Sequence, residues 1–177
     1  MACTWLLTST TYGTWLPGDA RGSVSTVKNA PGPRVRHNVY GTPYDPGMPG
    51  LHRFAQEKLK CPPILLTSEQ ANVVLAQFQE TARYRHWVLH AAAVMSNHFH
   101  LVVSAPEEVP STNLLRDFKS YAARALNRQW PKPASGTWWT ESGSRRPLRG
   151  TKQWKPRFTT WAISPASWRC GSPPTTI

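Results

Sequence analysis

The chain has 177 residues, which is room for one domain of ordinary size with a hydrophobic core. Lysine and arginine total 21 against 9 aspartate and glutamate residues, a formal net charge of +12, so we expect a polyanionic partner, nucleic acid first, with a merely soluble basic protein as the alternative. The three cysteines are scattered along the chain, which argues against a protein held together by disulfides. The sequence shows no signal-peptide pattern and no apolar stretch of about 20 residues, which argues against a membrane-spanning chain. We therefore expect a cytoplasmic protein.

The first half of the chain predicts one strand, one long loop and two helices. Residues 5–11 are β-branched and apolar, which is typical of a strand, and residues 20–50 are rich in glycine, proline and asparagine, which indicates a loop. A short helix is expected over 51–60, before a Pro-Pro pair. The clearest helix pattern covers 68–84, because Thr67-Ser-Glu-Gln70 is a capping box and apolar residues follow it at helical spacing.

The second half predicts a hairpin and a further helix. Strands over 87–95 and 98–104 flank Ser96-Asn97, a favourable turn. A helix over 113–129 has an apolar face, which consists of Leu114, Leu115, Phe118, Tyr121, Ala122, Ala125 and Leu126. The order strand, helix, strand, strand, helix indicates an α+β fold: a ferredoxin-like antiparallel sheet with helices on one face and the second hairpin strand at its centre.

Residues 94–103, Val-Met-Ser-Asn-His-Phe-His-Leu-Val-Val, contain the pattern with chemical meaning. Because alternate side chains of a strand share a face, His98 and His100 should point one way and Phe99 and Leu101 the other. Two imidazoles on one face can hold one divalent metal ion, with a carboxylate or amide from another element completing the site, and such an ion suits phosphoryl transfer. The alternative is a chance pairing in which one histidine is only a surface residue.

Residues 95–103 resemble the His-hydrophobic-His block of single-strand DNA tyrosine transposases. Three further stretches resemble the REP-associated branch of that family: Tyr12-Gly-Thr-Trp-Leu-Pro-Gly-Asp19, Phe118-Lys-Ser-Tyr-Ala122, and Trp138-Trp-Thr140 followed by Gly143-Ser144. The similarity runs in order over residues 1–148. It implies a ferredoxin-like fold, Mg²⁺ or Mn²⁺ on His98 and His100, and a tyrosine that attacks single-stranded DNA near hairpins, leaving a 5′-phosphotyrosine and a free 3′-OH.

The resemblance does not identify a catalytic tyrosine in this chain. In the family the tyrosine stands on a helix after the last motif, and an amide residue about one turn later joins the metal site. Tyr121 lies on the earlier helix, and its i+4 neighbour Ala125 cannot bind a metal. Tyr121 is therefore only a fallback nucleophile, and its apolar neighbours favour a packing role.

The last 29 residues, 149–177, do not match what precedes them. They contain five Lys or Arg, no Asp or Glu, three Trp and four Pro, with no regular period, and three tryptophans argue against simple disorder. A frame that begins at the third base of each codon permits, from Thr151, the helix Glu-Ala-Val-Glu-Ala-Ala-Val-(Tyr/His)-Tyr-Val-Gly-Asp-Gln, with Gln four residues after Tyr. We predict a transposase-like domain over 1–148 and an aberrant, out-of-frame tail; chance agreement is the alternative.

Basic and aromatic residues near the motifs are candidates for DNA binding, the charges for phosphates and the rings for unpaired bases; they are Arg116, Lys119, Arg124, Trp138, Trp139, Arg145 and Arg146. The 20–50 loop adds four candidates for hairpin recognition, Arg34, Arg36, His37 and Tyr40. Two functions stay open: an enzyme that nicks and joins single-stranded DNA, impaired in this copy, or a catalytically dead hairpin binder. A metal-dependent RNA-binding or phosphodiesterase domain is a weaker alternative. Either a monomer or a homodimer fits.

Overall fold

A computed structural model describes residues 2–22 and 47–148. Their elements are β1 Ala2–Thr10, α1 Pro49–Glu57, α2 Ser68–Tyr84, β2 Val88–Val94, β3 His98–Pro106, α3 Ser111–Gln129 and β4 Ser144–Pro147. The strands form one antiparallel sheet in the order β2-β3-β1-β4. The predicted α+β fold with an antiparallel sheet is confirmed, and β3 lies inside that sheet, as expected for the strand with the two histidines.

The helix boundaries follow from local chemistry. The capping box of α2 is formed: the Thr67 side chain accepts a hydrogen bond from the Gln70 backbone N–H at 3.2 Å, and the Gln70 side chain accepts one from the Thr67 N–H at 3.0 Å. Helix α1 begins two residues earlier than predicted because Pro49 suits the first helical turn, where no N–H is needed. It ends three residues earlier, at Glu57, where the backbone turns through Lys58.

Helices α2 and α3 cover one side of the sheet and bury the core. Phe78 of α2 packs edge to face against Phe99 of β3 and Phe118 of α3, with ring centroids 4.9 and 5.5 Å apart. All three rings are fully buried. Burying a side chain of this size stabilises a fold by about 1.5–3 kcal/mol. Helix α1 has no buried residue and takes no part in this core.

The other side of the sheet carries half-buried, mostly polar side chains, and we call it the open face. Its residues are Thr4, Leu6, Thr8 and Thr10 of β1 and His98, His100, Val102 and Ser104 of β3. These positions alternate with buried ones along both strands, so the period of two decides which side chains meet the helices and which do not.

Strand β4 was not predicted, because four residues are too few to show a period. It pairs with β1 from Thr8 opposite Ser144 to Trp5 opposite Pro147. Gly143 allows this pairing. A Cβ at that position would lie 2.6 Å from the Thr8 carbonyl oxygen and 2.8 Å from a methyl carbon of Leu115, so a larger residue would push β4 away from β1.

Several predictions concern residues outside the described ranges. These are the four hairpin-recognition candidates at positions 34, 36, 37 and 40, and the tail 149–177. Among the helices of the described residues, none is long and apolar enough to span a membrane.

Candidate metal centre

His98 and His100 project from the same side of β3 onto the open face. Their ring centroids are 4.9 Å apart, with an angle of 77° between the ring planes. On β1, Thr10 lies opposite His98 and Thr8 lies opposite His100. The shared orientation predicted from the period of two is confirmed, and the two imidazoles are near enough to approach one common ion.

Each imidazole is held through its Nδ1 atom. The Nδ1 of His98 lies 2.6 Å from the side-chain oxygen of Asn97, and the Nδ1 of His100 lies 2.7 Å from the hydroxyl oxygen of Thr8. An amide oxygen can only accept, so the Nδ1 of His98 carries a proton, and in the neutral ring Nε2 then keeps a lone pair. Metal-binding histidines commonly use one nitrogen for such an oxygen partner and the other for the metal.

Burial lowers the pKa of both histidines below the ordinary value. Loss of solvent is the main cause for each; the positive charge of Arg21 adds to it at His98, and the neighbouring His98 adds to it at His100. Both rings are therefore neutral at neutral pH. A metal needs the neutral imidazole, so the environment favours the ligand form.

The segment after β1 fixes the turn that begins β3. The backbone carbonyl of Asn97 accepts hydrogen bonds from the Thr11 N–H at 2.9 Å and the Thr14 hydroxyl at 3.1 Å. Gly18 has a φ of +79°, and a Cβ there would lie 2.5 Å from the Met48 carbonyl oxygen. This glycine lets the segment pass close to the start of α1.

An ion pair at the end of this segment was missed by sequence reasoning. Asp19 accepts from Nε and Nη2 of Arg21 at 2.9 and 2.7 Å and from its backbone N–H at 2.9 Å. Asp19 is buried, and the Arg21 hydrogen bonds lower its pKa to about 2. The available signal was an acid and a base two positions apart, directly after the Tyr12–Asp19 motif.

A comparison with known protein families assigns the chain to one of them. Residues 63–164 match the family described as IS200-like transposases. That range is more than half of the chain and includes β3, α3 and β4. The chain belongs to the IS200-like transposase family. Its members are DNA-nicking transposases, and the family-level resemblance drawn from the sequence is confirmed. The matched range ends inside the tail, so the domain boundary at residue 148 stays a prediction.

Two solved structures are similar to this IS200-like chain. One is a transposase from Deinococcus radiodurans R1, with 15% identity and a TM-score of 0.49; the alignment covers 82% of this chain and 78% of that one. The other is a REP-associated tyrosine transposase bound to a REP hairpin, with 14% identity and a TM-score of 0.46, covering 85% of this chain and 58% of that one. A search of curated protein sequences found no match.

Trp138 and Trp139 require a correction. Their exposed fractions are 5% and 3%. The indole N–H of Trp138 donates to the Asn127 side chain at 2.8 Å, and that of Trp139 donates to the Lys119 carbonyl at 3.1 Å. The interpretation of these rings as stacking platforms for bases is wrong in this conformation, because both rings are core residues without an exposed face.

Lys119 also has a different role from the one predicted. Its Nζ donates to the backbone carbonyl of Thr140 and, at 3.1 Å each, to those of Glu141 and Ser142. Burial lowers its pKa to about 8. Lys119 therefore holds the segment before β4 and is not available to a phosphate in this arrangement.

Tyr121 lies on the helix side of the sheet, away from the histidines. Its ring centroid is 6.4 Å from that of Tyr84, and the guanidinium of Arg124 lies 5.3 Å above it. The structure thus does not bring Tyr121 to the candidate metal centre among the described residues, and its ring contacts favour the packing role over the fallback role as nucleophile.

The remaining basic candidates are divided between the two sides. Arg116 and Arg124 are exposed on α3, on the helix side. Arg145 lies opposite Leu7, whose side chain faces the core, whereas Arg146 lies opposite Leu6 on the open face. Arg146 is thus the one predicted DNA-binding residue within the described ranges that shares a face with the histidines.

Proposed function

We propose that this transposase-family chain carries the metal-binding half of a single-strand DNA nicking centre. His98 and His100 hold Mg²⁺ or Mn²⁺, and hairpin DNA with a single-stranded flank binds across the open face. The main support is the arrangement of the two rings, which are 4.9 Å apart and each anchored at Nδ1 by an oxygen. A bound divalent ion would polarise the scissile phosphate and offset its developing charge.

The chain's own residues prepare this site before any ligand arrives. Asn97 and Thr8 fix the orientation of the rings, and burial keeps both imidazoles neutral. The donor set fits a divalent ion in part, since two imidazoles leave coordination positions for DNA and for a further ligand. The described residues contain no group of three or more His, Cys, Asp or Glu side chains that could hold a metal. The net charge of +12 attracts the DNA.

The nucleophile is where this copy departs from the family. Nicking forms a bond between a tyrosine oxygen and phosphorus and breaks the bond to the 3′ oxygen, which leaves with a proton as a 3′-OH. Among the described tyrosines, Tyr84 and Tyr121 lie on the helix side, and the Tyr12 hydroxyl accepts a hydrogen bond from the Lys60 N–H at 2.9 Å. Together with the frame of the tail, this supports an impaired copy, and it favours a catalytically dead hairpin binder as the second candidate.

Manganese binding tests the metal centre directly. Titration followed by electron paramagnetic resonance should show one Mn²⁺ bound to the full chain, and His98→Ala and His100→Ala should each abolish it. His90→Ala is the matched control, because His90 bonds Ser104 elsewhere on this side of the sheet at 2.7 Å. Equal Mn²⁺ binding by all four proteins would refute the centre.

A covalent-adduct assay decides between the two functions. The full chain and a version with the reading frame restored before codon 150 are incubated with end-labelled single-stranded hairpin DNA and Mn²⁺. We expect both to bind the hairpin and only the restored version to form the phosphotyrosine adduct. An adduct from the unrepaired chain that disappears in Tyr121→Phe would show that the nucleophile was misplaced. Binding without any adduct from either version would favour the hairpin binder.

A further inference from the structure

Helices α2 and α3 carry a basic surface on the side of the sheet away from the candidate metal centre. Four exposed arginines contribute to it, one directly after α2 and three along α3, and two tyrosines lie among them. The metal centre uses none of these side chains. We call this set the arginine–tyrosine surface, and its members are Tyr84, Arg85, Arg116, Tyr121, Arg124 and Arg128.

The aromatic rings hold two of the guanidinium groups in place. The guanidinium of Arg85 lies 5.8 Å from the ring centre of Tyr84 and 5.9 Å from that of Tyr121. The guanidinium of Arg124 lies 5.3 Å from the centre of the Tyr121 ring, so two cations share one ring. Contacts of this kind are attractive. An ion pair with the buried Asp117 at 2.7 Å also orients Arg85.

Positive charge on this surface exceeds negative charge. Asp117 is the only acid of α3, and it already pairs with Arg85 at 2.7 Å and with Arg116 at 3.3 Å. Arg124 and Arg128 have no ion-pair partner among the described residues. They stand four positions apart on one helix, a spacing at which like charges destabilise the helix slightly. An anionic partner would therefore stabilise this surface.

The arrangement favours a partner with many regularly spaced charges. The stretch of α3 from Arg116 to Arg128 is about 18 Å long, at about 1.5 Å per residue. One strand of duplex DNA carries a phosphate for about every 3.4 Å of helix axis, so about five phosphates cover this distance. A small anion could contact only one or two of the arginines. A second copy of the chain would present the same positive surface and would be repelled.

We propose that the arginine–tyrosine surface binds the phosphate backbone of double-stranded DNA without reading its sequence. The proposal does not rest on the proposed function, because it needs neither the metal nor a hairpin. Arginine suits backbone contacts, since its planar donors match phosphate oxygens two at a time. Tyr121 is a positioning residue, because its ring orients Arg85 and Arg124. With single-stranded DNA on the open face, the chain would hold two DNA segments, one on each side of the sheet.

Duplex binding at several salt concentrations tests the proposal on the full chain. A labelled blunt duplex of arbitrary sequence is titrated by fluorescence anisotropy with EDTA present, so that the metal centre takes no part. Arg124→Gln and Arg128→Gln should each weaken binding by roughly fivefold to tenfold at about 0.1 M salt. Each should also reduce the slope of log affinity against log salt by about one. Arg53→Gln removes an exposed charge from α1 and is the matched control, so it should change the slope little.

Two variants of Tyr121 separate orientation from folding. Tyr121→Phe keeps the ring and should bind the duplex as the wild type does. Tyr121→Leu removes the ring between the two guanidinium groups and should weaken binding by roughly threefold. Thermal unfolding of each variant shows that it is folded. Equal binding by folded Tyr121→Leu and the wild type would overturn the positioning role.

Four other results would overturn the proposed duplex site. Equal losses in Arg53→Gln and Arg124→Gln would mean that each arginine acts only through the net charge of the chain. A single strand of the same length that loses as much affinity in Arg124→Gln would show no preference for duplex. Polyglutamate that competes as well as the duplex at equal charge would indicate an acidic protein as the partner. His98→Ala should bind the duplex like the wild type, and a loss there would place the duplex on the open face.

Discussion

The two sides of strand β3 differ in what they do, although their residues alternate along one stretch of sequence. Phe99, Leu101 and Val103 are fully buried against the helices. His98 and His100, one position away in each case, are half-buried and held by polar side chains. Along β3, residues that stabilise the fold therefore alternate with residues that form the candidate metal site. Substitutions on the helix side should destabilise the protein, whereas substitutions on the open face should leave it folded but unable to bind its ligand.

The largest effect should come from the helix side. Phe99→Ala removes a ring that meets both Phe78 and Trp139, at 4.9 and 5.3 Å, and leaves a cavity in the core. We expect the free energy of unfolding to fall by about 3–5 kcal/mol, measured by urea denaturation. His100→Ala on the other side should change it by less than about 1 kcal/mol. Equal losses for the two variants would break the division of roles.

Much of the fold could be predicted because its signals are local. The capping box begins α2 at Ser68, and the alternation from His98 to Ala105 identifies β3 and its two sides. The histidine pair could be predicted for the same reason, since its two members are neighbours on one strand. Each of these signals lies within a few residues of the chain.

The surroundings of the site could not be predicted, because they depend on contacts between distant residues. Strand β4 is defined only by its pairing with β1, more than a hundred positions earlier. Trp139 is buried because it meets Phe99, and Lys119 is engaged because the segment 140–142 returns to α3. The region 130–143 has no period that would show these contacts, so its aromatic and basic residues look like a DNA-binding surface.

Lys119 is a polar residue on the helix side of the sheet. We expect its substitution to lower the free energy of unfolding, as the substitution of a core residue does, and to leave metal binding unchanged. Lys119→Met removes the donors to three backbone carbonyls of residues 140–142, and we expect a loss of about 2 kcal/mol in the free energy of unfolding. Metal binding should persist. Arg128→Met, which removes an exposed charge from the same helix, is the matched control and should have little effect. A similar loss in both variants would mean that the bonds to the carbonyls contribute nothing of their own.

The same residue predicts a pH dependence. Burial lowers the pKa of Lys119 from 10.5 to about 8 in the folded chain, so between these values the unfolded chain holds more protons than the folded one. The stability of the wild type relative to Lys119→Met should therefore rise as the pH increases from about 8 to about 10.5. Denaturation curves at several pH values measure this, and a constant difference between the two proteins would contradict it.

A substitution of Thr8 tests how the open face supports His100, without changing either of the two proposed metal ligands. Thr8→Val keeps the shape and the strand preference of the residue but removes the oxygen at 2.7 Å from the Nδ1 of His100. We expect Mn²⁺ affinity to fall roughly tenfold, as it does when the outer partner of a metal-bound histidine is lost, with little change in unfolding. Thr4→Val is the control, because Thr4 lies on the same strand and face but contacts Ser104 at 2.6 Å. Equal affinity in both variants would mean that His100 needs no such support.

The smallest effect on stability should come from Asp19, which lies in the segment beside the open face. An ion pair, and not apolar burial, stabilises this segment. Asp19→Asn weakens the contact with Arg21, and we expect a loss of about 1 kcal/mol at neutral pH, a modest value because Arg21 is 59% exposed to solvent. The folded pKa of Asp19 is about 2 against an ordinary 3.8, so its contribution is complete above the ordinary value and disappears as the pH falls toward 2. Thermal unfolding of the wild type and Asp19→Asn should therefore differ at pH 7 and converge in acid, whereas Glu57→Gln, an exposed acid on α1, should match the wild type at pH 7. A difference between the wild type and Asp19→Asn that stayed constant down to pH 2 would mean that the shape of the segment, and not the charge of Asp19, stabilises it.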